Sequence, residues 1–341
     1  MVADLNKELL GHLVGLGINT KSIDVTDVET LTDALKGFDA AVSACSYSLN
    51  TFIAKAAIQS KVSYFDLTED VETTERVRAL AENACDGQIL MPQCGLAPGF
   101  IGILGHDLSK KFDRIDRIKM RVGALPQFPS NLMMYNLTWS TDGLINEYCN
   151  SCKALVGGSP MDVLPLEGLE HFSLDGMDYE AFNTSGGLGT LCETLQGKVR
   201  DLDYKTVRYK GHCHLMSFLT KGLKLGERRD ILKDILEHAV PITKQDVVLV
   251  FCEVQGWREG NFEQITDARK VYHADVHGEH WSSIQITTAA SMCAVIDLHR
   301  EGYFKHDGFI KQEEVALDDF LNNRFGKYYC TSSSASQTCA A

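Results

Sequence analysis

Residues 1 to 95 repeat one pattern, a short apolar run followed by a turn and an amphipathic helix, and few folds accept it. The runs are Met1-Val2-Ala3, Ser22 to Val25, Ala40 to Ala44, Val62 to Leu67 and Ile89 to Pro92. Helical spacing follows in Asn6 to Val14, Val28 to Leu35 and Leu49 to Gln59. Apolar strands that alternate with helices predict a parallel sheet covered on both faces. Ligands of such sheets bind at the carboxyl ends of the strands.

Past residue 112 the pattern changes. Asp116 to Leu125, Asp203 to Tyr209 and Asp246 to Val254 alternate polar and apolar residues, which predicts a mixed or antiparallel sheet with two unlike faces. Helices are expected over Thr141 to Leu155, Leu188 to Gly197, His212 to Lys224, Arg228 to His238, Ile284 to Arg300 and Leu317 to Phe325. The Ser-rich close from residue 330 to 341 reads as a disordered tail.

Composition removes whole classes of function. The 341 residues are 44% hydrophobic and 23% charged, a globular balance that suits two domains. A formal charge of -13 opposes nucleic-acid binding, which needs clustered Lys and Arg. No run approaches the roughly 20 apolar residues of a membrane span, and the start lacks the pattern of a secretory signal. Eleven cysteines without such a signal read as reduced thiols in a cytoplasmic protein. Small-molecule chemistry remains.

A parallel fold that binds a dinucleotide opens with a strand and a G-x-G-x-x-G turn, and an acidic residue ends its second strand. Here Met1-Val2-Ala3-Asp4 resembles the end of that second strand. Gly15 and Gly17 have the first spacing but follow a helix, with Thr20 where the third glycine belongs; Gly186, Gly187 and Gly189 also miss the spacing. The expected fold class is therefore α/β, with an N-terminally truncated Rossmann-like parallel sheet and a second α+β domain with a mixed sheet. Residues 1–112 form the dinucleotide-binding part, to which the helix over 284–302 returns, and 113–329 form a substrate and dimerisation domain. Asp4 is expected to bind the adenosine ribose, which would favour NAD over NADP; an ordinary helix N-cap explains it equally well.

CGLAPGF (Cys94 to Phe100), VSACSYSLNTFIAKAAIQSKVSYFDLTED (Val42 to Asp70) and LTWSTDGLINEYC (Leu137 to Cys149) resemble the saccharopine dehydrogenase family, in particular its lysine 6-dehydrogenase-like branch. YEAFNTSGGLGTLCETL (Tyr179 to Leu195), YKTVRYKGH (Tyr204 to His212) and Gly308 to Tyr329 continue the resemblance in order. It implies an NAD(P)-dependent reaction at a carbon–nitrogen bond of an amino acid, lysine first among them, in a homodimer. A saccharopine or carboxynorspermidine dehydrogenase is the alternative enzyme, and a non-catalytic scaffold homologue is the alternative of another class. Saccharopine-forming relatives carry an acidic residue where Ala97 stands, which turns the reading toward deamination.

Within that reading, the strand-end residues Asp24, Val25, Ala44, Cys45, Tyr47 and Leu67, with Leu96, Pro98 and Gly99 of the LAPGF turn, are expected to contact cofactor. Lys55, in a stretch similar to one that supplies a family lysine, would be a general base if burial lowered its pKa; an exposed helix lysine is the plainer account. Asp66 could share that role or cap the helix after it. Arg208 is the expected carboxylate anchor, against a structural salt bridge. His212 could carry a proton near neutral pH or be structural. Trp139, Ser185 and Gly186 lead into helices whose N-termini suit a substrate carboxylate, or are plain caps. Cys149 and Cys152 have C-x-x-C spacing on an expected helix with no second pair, and His273, His277 and His280 read as a solvated loop, so no metal is expected.

Overall fold

The computed structural model describes residues 1–330 with the exception of His277, so the expected tail lies outside the described residues from 331 on. The chain divides into two compact units, Met1–Gln93 with Gly302–Lys311, and Cys94–Glu301 with the residues from Gln312 on.

The first unit begins β1 (Val2–Asp4), α1 (Lys7–Gly15), β2 (Thr20–Ser22), α2 (Val28–Leu35) and β3 (Ala40–Ser43). It continues α3 (Tyr47–Ser60), β4 (Ser63–Asp66), α4 (Val71–Ala81) and β5 (Ile89–Met91). Helix starts follow side-chain capping: Asn6 accepts from the amides of Glu8 and Leu9, Asp27 from Thr30, and Asp70 from Thr73. The second unit opens with α5 (Phe100–Ser109), β6 (Arg114–Pro126), α6 (Thr141–Cys149), β7 (Cys152–Val156), β8 (Ser159–Val163) and β9 (Glu170–Leu174). Next come β10 (Met177–Asn183), α7 (Leu191–Leu195), β11 (Val199–Tyr209), α8 (His212–Ser217) and α9 (Arg229–Ala239). The chain closes through β12 (Asp246–Arg258), β13 (Asn261–Tyr272), β14 (Ala274–Val276), β15 (Glu279–Trp281), α10 (Ser283–Arg300), β16 (Gly308–Phe309) and α11 (Leu317–Asn322).

In the first unit β1 and β2 pair in parallel, and a separate parallel sheet has the order β16-β5-β4-β3. No hydrogen bonds join β1 to β3. One apolar core holds the unit, with Ala41, Ala54, Ala57, Tyr64, Val77 and Leu90 at its centre.

The second unit is built on a mixed sheet of order β13-β12-β6-β11-β10-β9, with β7 on β11 and β8 on β7. Only β6 and β11 run parallel; the other pairings are antiparallel. One face of β11 carries Val207 and Tyr209 into an apolar layer with Leu125, Val247 and Leu249. The alternate positions Tyr204, Thr206 and Arg208 therefore point to the opposite face.

Three expected helices are shorter than their patterns. The helix from Thr141 stops at Cys149 because Asn150 is extended, and Cys152–Val156 pairs with β8 and β11 instead. C-x-x-C thus spans a helix end and a strand start. The stretch over 188–197 keeps only α7, since Gly189 and Gly197 take positive φ, and the helix from His212 passes into a π-turn at Phe218–Gly222. The unit boundary lies at Gln93, not at 112. Helix α10 stays in the second unit, where Asp246 accepts from the amides of Ser283 and Ile284 (2.5 and 3.1 Å), and residues 302–311 return to the first unit through β16 instead.

No described helix is long and apolar enough to cross a membrane. The ten described cysteines form no disulfide, and among the described residues no group of three His, Cys, Asp or Glu side chains is placed to hold a metal ion. His273 faces Gln127 and His280 faces Asp275, while His277 lies outside the described residues.

Candidate active site

In the first unit, the strand-end residues gather as a parallel sheet requires. Asp4 closes β1, Asp24 and Val25 follow β2, Ala44 and Cys45 follow β3, and Leu67 follows β4. Asp24 is engaged locally by the amide and hydroxyl of Thr26, Val25 packs half-buried on the core, and Tyr47 opens α3 half-buried. Asp4 is exposed; its Oδ1 accepts from the amide of Asn6 at 2.7 Å. Its second oxygen has no hydrogen-bond partner among the described residues.

The two expected bases differ in environment. Lys55 is exposed on α3, so the burial on which a lowered pKa depends is missing. Asp66 is 0% exposed and its oxygens accept from Tyr64 Oη (2.8 Å), the amide of Thr68 (2.9 Å) and the amide of Gln93 (3.0 Å). Burial raises its pKa, against the pull of those amides and of the Tyr64 hydroxyl. It caps no helix; Asp70 does that. Replacing Asp66 with Ala strands the buried amides of Thr68 and Gln93, since Tyr64 Oη can donate to Asn50 O instead, and should cost about 2–3 kcal/mol. Asp66→Asn keeps the oxygen that takes both amides, and Tyr64 Oη can donate to Asn50 O (3.3 Å) while accepting from the new amide, so the cost should stay below about 1 kcal/mol. A raised folded pKa means the native state holds the proton longer, so this contribution to stability is full below the unfolded pKa and lost as pH rises through the folded one. Urea titrations of wild type and Asp66→Asn across that range check it: the stability gap should move in the variant's favour as pH rises.

The second unit concentrates buried polarity around Arg208. The residue sits near the end of β11, opposite Glu180 of β10, and is 2% exposed. Its Nε donates to Tyr148 Oη at 2.9 Å and its Nη1 to Val207 O at 2.8 Å. The guanidinium lies 4.9 Å from the Tyr135 ring centroid and 5.8 Å from that of Tyr148. No carboxylate lies within ion-pair distance of it among the described residues. The cross-strand neighbour Glu180 is engaged elsewhere, accepting from the amides of Gly211 (2.9 Å) and Cys213 (2.6 Å) as β11 turns into α8. A buried charge is normally paired; this one is braced by a hydroxyl and a carbonyl. By donor count, Nη2 and one N–H of Nη1 stay uncommitted.

Tyr148 reaches this point because Ser140 caps α6 through the amide of Gly143, and the helix then buries Leu144, Ile145 and Tyr148 in one core with Phe182, Leu232 and Leu236. Trp139 packs half-buried on the same core. His212 is 1% exposed, with Nδ1 2.8 Å from Met133 O and Nε2 3.0 Å from Tyr148 Oη. Burial, with the Arg208 charge adding, pushes its pKa down to about 3, so burial favours a neutral ring with a single N–H near neutral pH. Ser185 donates to Ser151 O (3.0 Å) and its amide to Glu147 O (3.0 Å), while Gly186 turns with φ 88°. The next helix in the chain, α7, begins only at Leu191. Three buried polar atoms over residues 131–146 have no protein partner, Asn131 Oδ1, Asn136 Oδ1 and Asn146 Nδ2, while Tyr135 Oη faces the side chains of Thr138 and Trp139. Native folds tolerate few such atoms, and each costs about 1–3 kcal/mol when left unmade.

The LAPGF turn is set by its backbone. Pro98 follows a cis peptide bond, Leu96 is buried, and Gly99 has φ 132° where a Cβ would lie 1.9 Å from Gly95 O. Cys149 and Cys152 hold their thiols protonated, burial pushing Cys152 up to about 12. Sequence reading singled out Arg208 and His212 but missed Tyr148, Tyr135 and Glu180. Only the pairing of β10 with β11 and the packing of α6 put these three beside Arg208.

Residues 1–91 match the family model for the saccharopine dehydrogenase NADP binding domain, and residues 95–325 that for the saccharopine dehydrogenase C-terminal domain. The chain is 25% identical over 269 residues, 70% of its length, to the mitochondrial alpha-aminoadipic semialdehyde synthase of Bos taurus, and spans 26% of that relative. Apo saccharopine dehydrogenase (L-Glu forming) from Saccharomyces cerevisiae shares the fold with TM-score 0.75 at 16% identity, covering 96% of this chain and 89% of that one. The homospermidine synthase of Legionella pneumophila in complex with NAD gives TM-score 0.59 at 12% identity, covering 92% and 79%. With both of its units matched in order by the two models, the chain belongs to the saccharopine dehydrogenase family.

Proposed function

We propose that this chain serves a nicotinamide-dependent oxidoreductase that acts on the carbon–nitrogen bond of an amino acid, with L-lysine deamination the leading case. The observation that carries the reading is Arg208, a buried guanidinium to which no carboxylate is hydrogen-bonded and part of whose fork is uncommitted, with the Glu147 charge acting on it from farther off. In this reading Arg208 grips the substrate carboxylate. Asp4 accepts from the ribose of the dinucleotide, which favours NAD, and the exposed strand-end residues Ala44 and Cys45 line its path. When bound, the nicotinamide supplies the hydride acceptor. Lys55, exposed on α3, or Asp66, buried at the carboxyl end of β4, is the candidate base for the amine proton. The imine then takes up water or closes on a second amine of the substrate. Two copies pair in the working protein.

A second reading, reduction of an imine to saccharopine, is suggested by the fold shared with the saccharopine dehydrogenase (L-Glu forming) of yeast. NADH formation with L-lysine and with saccharopine, each with NAD and NADP, separates the two. The chain is assayed alone and extended at Met1 by a strand carrying G-x-G-x-x-G. Turnover of lysine with NAD by either form is the expected result; turnover of saccharopine alone selects the second reading. Silence from both forms would overturn the enzyme reading and leave a scaffold.

A further inference from the structure

For a neutral His212, which its burial beside the Arg208 charge favours, the hydrogen bonds around Arg208 have one consistent direction. Met133 O can only accept, so His212 Nδ1 then carries the ring proton and Nε2 is bare. Tyr148 Oη must then donate to Nε2, which leaves its lone pairs toward Arg208 Nε at 2.9 Å. Four groups, from the Met133 carbonyl to the guanidinium, thus share one fixed proton order, and three of them are 2% exposed or less. A hydroxyl locked as donor on one side cannot turn its proton toward the guanidinium. With Nε held by Tyr148 and one Nη1 proton held by Val207 O, the nitrogens left over are at the far end of the fork. Glu180, opposite Arg208 across the strands, is drawn to the start of α8 and makes no hydrogen bond to the fork, and the buried Glu147 acts on the guanidinium only through its charge.

We infer that Tyr148 is a positioning residue, its hydroxyl oriented by His212, that fixes the direction of the Arg208 fork and so confines recognition to substrates bearing a carboxylate. This rests on the reading of Arg208 as the carboxylate anchor, but the chain of protons can be tested apart from it. Nitrogen NMR of the labelled full chain should show His212 with a protonated Nδ1 and bare Nε2 from pH 5 to pH 8. The Arg208 Nε–H signal should exchange slowly with water and move in Tyr148→Phe. A His212 that titrates within that range, or an Arg208 signal unmoved by Tyr148→Phe, would overturn the proposal.

Calorimetry with L-lysine and with cadaverine, the same diamine without the carboxylate, gives the functional half. Tyr148→Phe should weaken lysine binding about tenfold and leave cadaverine within twofold, about 1.4 kcal/mol of selectivity. His212→Gln, which keeps an acceptor for the Tyr148 hydroxyl, should stay within threefold of wild type; equal loss of both ligands in Tyr148→Phe would mean a merely structural role and overturn the proposal. If Arg208→Met fails to separate lysine from cadaverine, or wild type binds neither, the anchor reading falls and the nitrogen spectra still decide the proton order. If Arg208→Met separates them and Tyr148→Phe does not, the anchor stands and the positioning role is wrong.

Discussion

Arg208→Met is expected to lower kcat/KM for an amino-acid substrate by about a hundredfold or more without lowering the stability of the fold. The first half follows from losing a buried, charge-assisted grip on a carboxylate, worth about 2–5 kcal/mol. The second half follows from the state of Arg208 without substrate. It is 2% exposed and has only a tyrosine hydroxyl and one carbonyl as partners. Its desolvation is therefore repaid poorly, and an apolar chain of similar length that keeps the packing on Tyr135 and Tyr148 should be neutral or stabilising. The loss of Tyr148's donor is partly offset because its hydroxyl still donates to His212. Steady-state kinetics and urea denaturation of the same preparation check both halves. A fall in stability of several kcal/mol would show that Arg208 is a structural strut, and activity lost with it would say nothing about substrate.

Gly99→Ala should do the opposite, removing the fold first and activity only as a consequence. At φ 132° the residue lies in backbone space that L side chains rarely adopt, and a Cβ would stand 1.9 Å from Gly95 O and 2.6 Å from Gly95 C. Those atoms are backbone, and the turn they belong to is held by Phe100 N donating to Gly95 O at 2.9 Å. Relief would require α5 to move, yet its Phe100, Ile101, Ile103 and Leu104 are each 0% exposed in the core. Strain of this kind adds to overpacking, so a loss of at least about 3 kcal/mol is expected. Gly102→Ala, three residues on, is the control. Nothing lies within 4 Å of its added Cβ, and a helical glycine replaced by alanine should gain up to about 1 kcal/mol. Soluble yield and denaturation midpoints of the two variants should diverge in sign; a tolerated Gly99→Ala would mean that the turn can adopt another path.

Local chemistry made much of this protein legible. Period and composition located β1, β3, β4 and β5 and their helices, because a strand buried on both faces has no polar positions and an amphipathic helix must repeat near every fourth residue. Caps such as Asp27, Asp70 and the Ser282–Gln285 capping box start helices through contacts within three residues, so the chain itself carries that information. Arg208 was also legible as a candidate, since its residue type and place near a strand end are local facts.

Tertiary structure alone decided the rest. Lys55 and Asp66 lie within one motif, yet one is exposed and the other sealed, because solvent access depends on what α3 and β4 pack against. Cys152 left a helical pattern for β7 when an edge strand needed a partner, and that demand is set by β8 and β11. Tyr148, Glu180, Arg208 and His212 come from α6, β10, β11 and α8, and no spacing links them. By itself the sequence determined that a parallel α/β unit would precede a mixed sheet, because those periods are properties of the chain. Only the tertiary structure decided that Arg208 would be buried with no carboxylate hydrogen-bonded to its fork, because the carboxylate opposite it was claimed by amides at the start of a helix that begins three residues beyond β11.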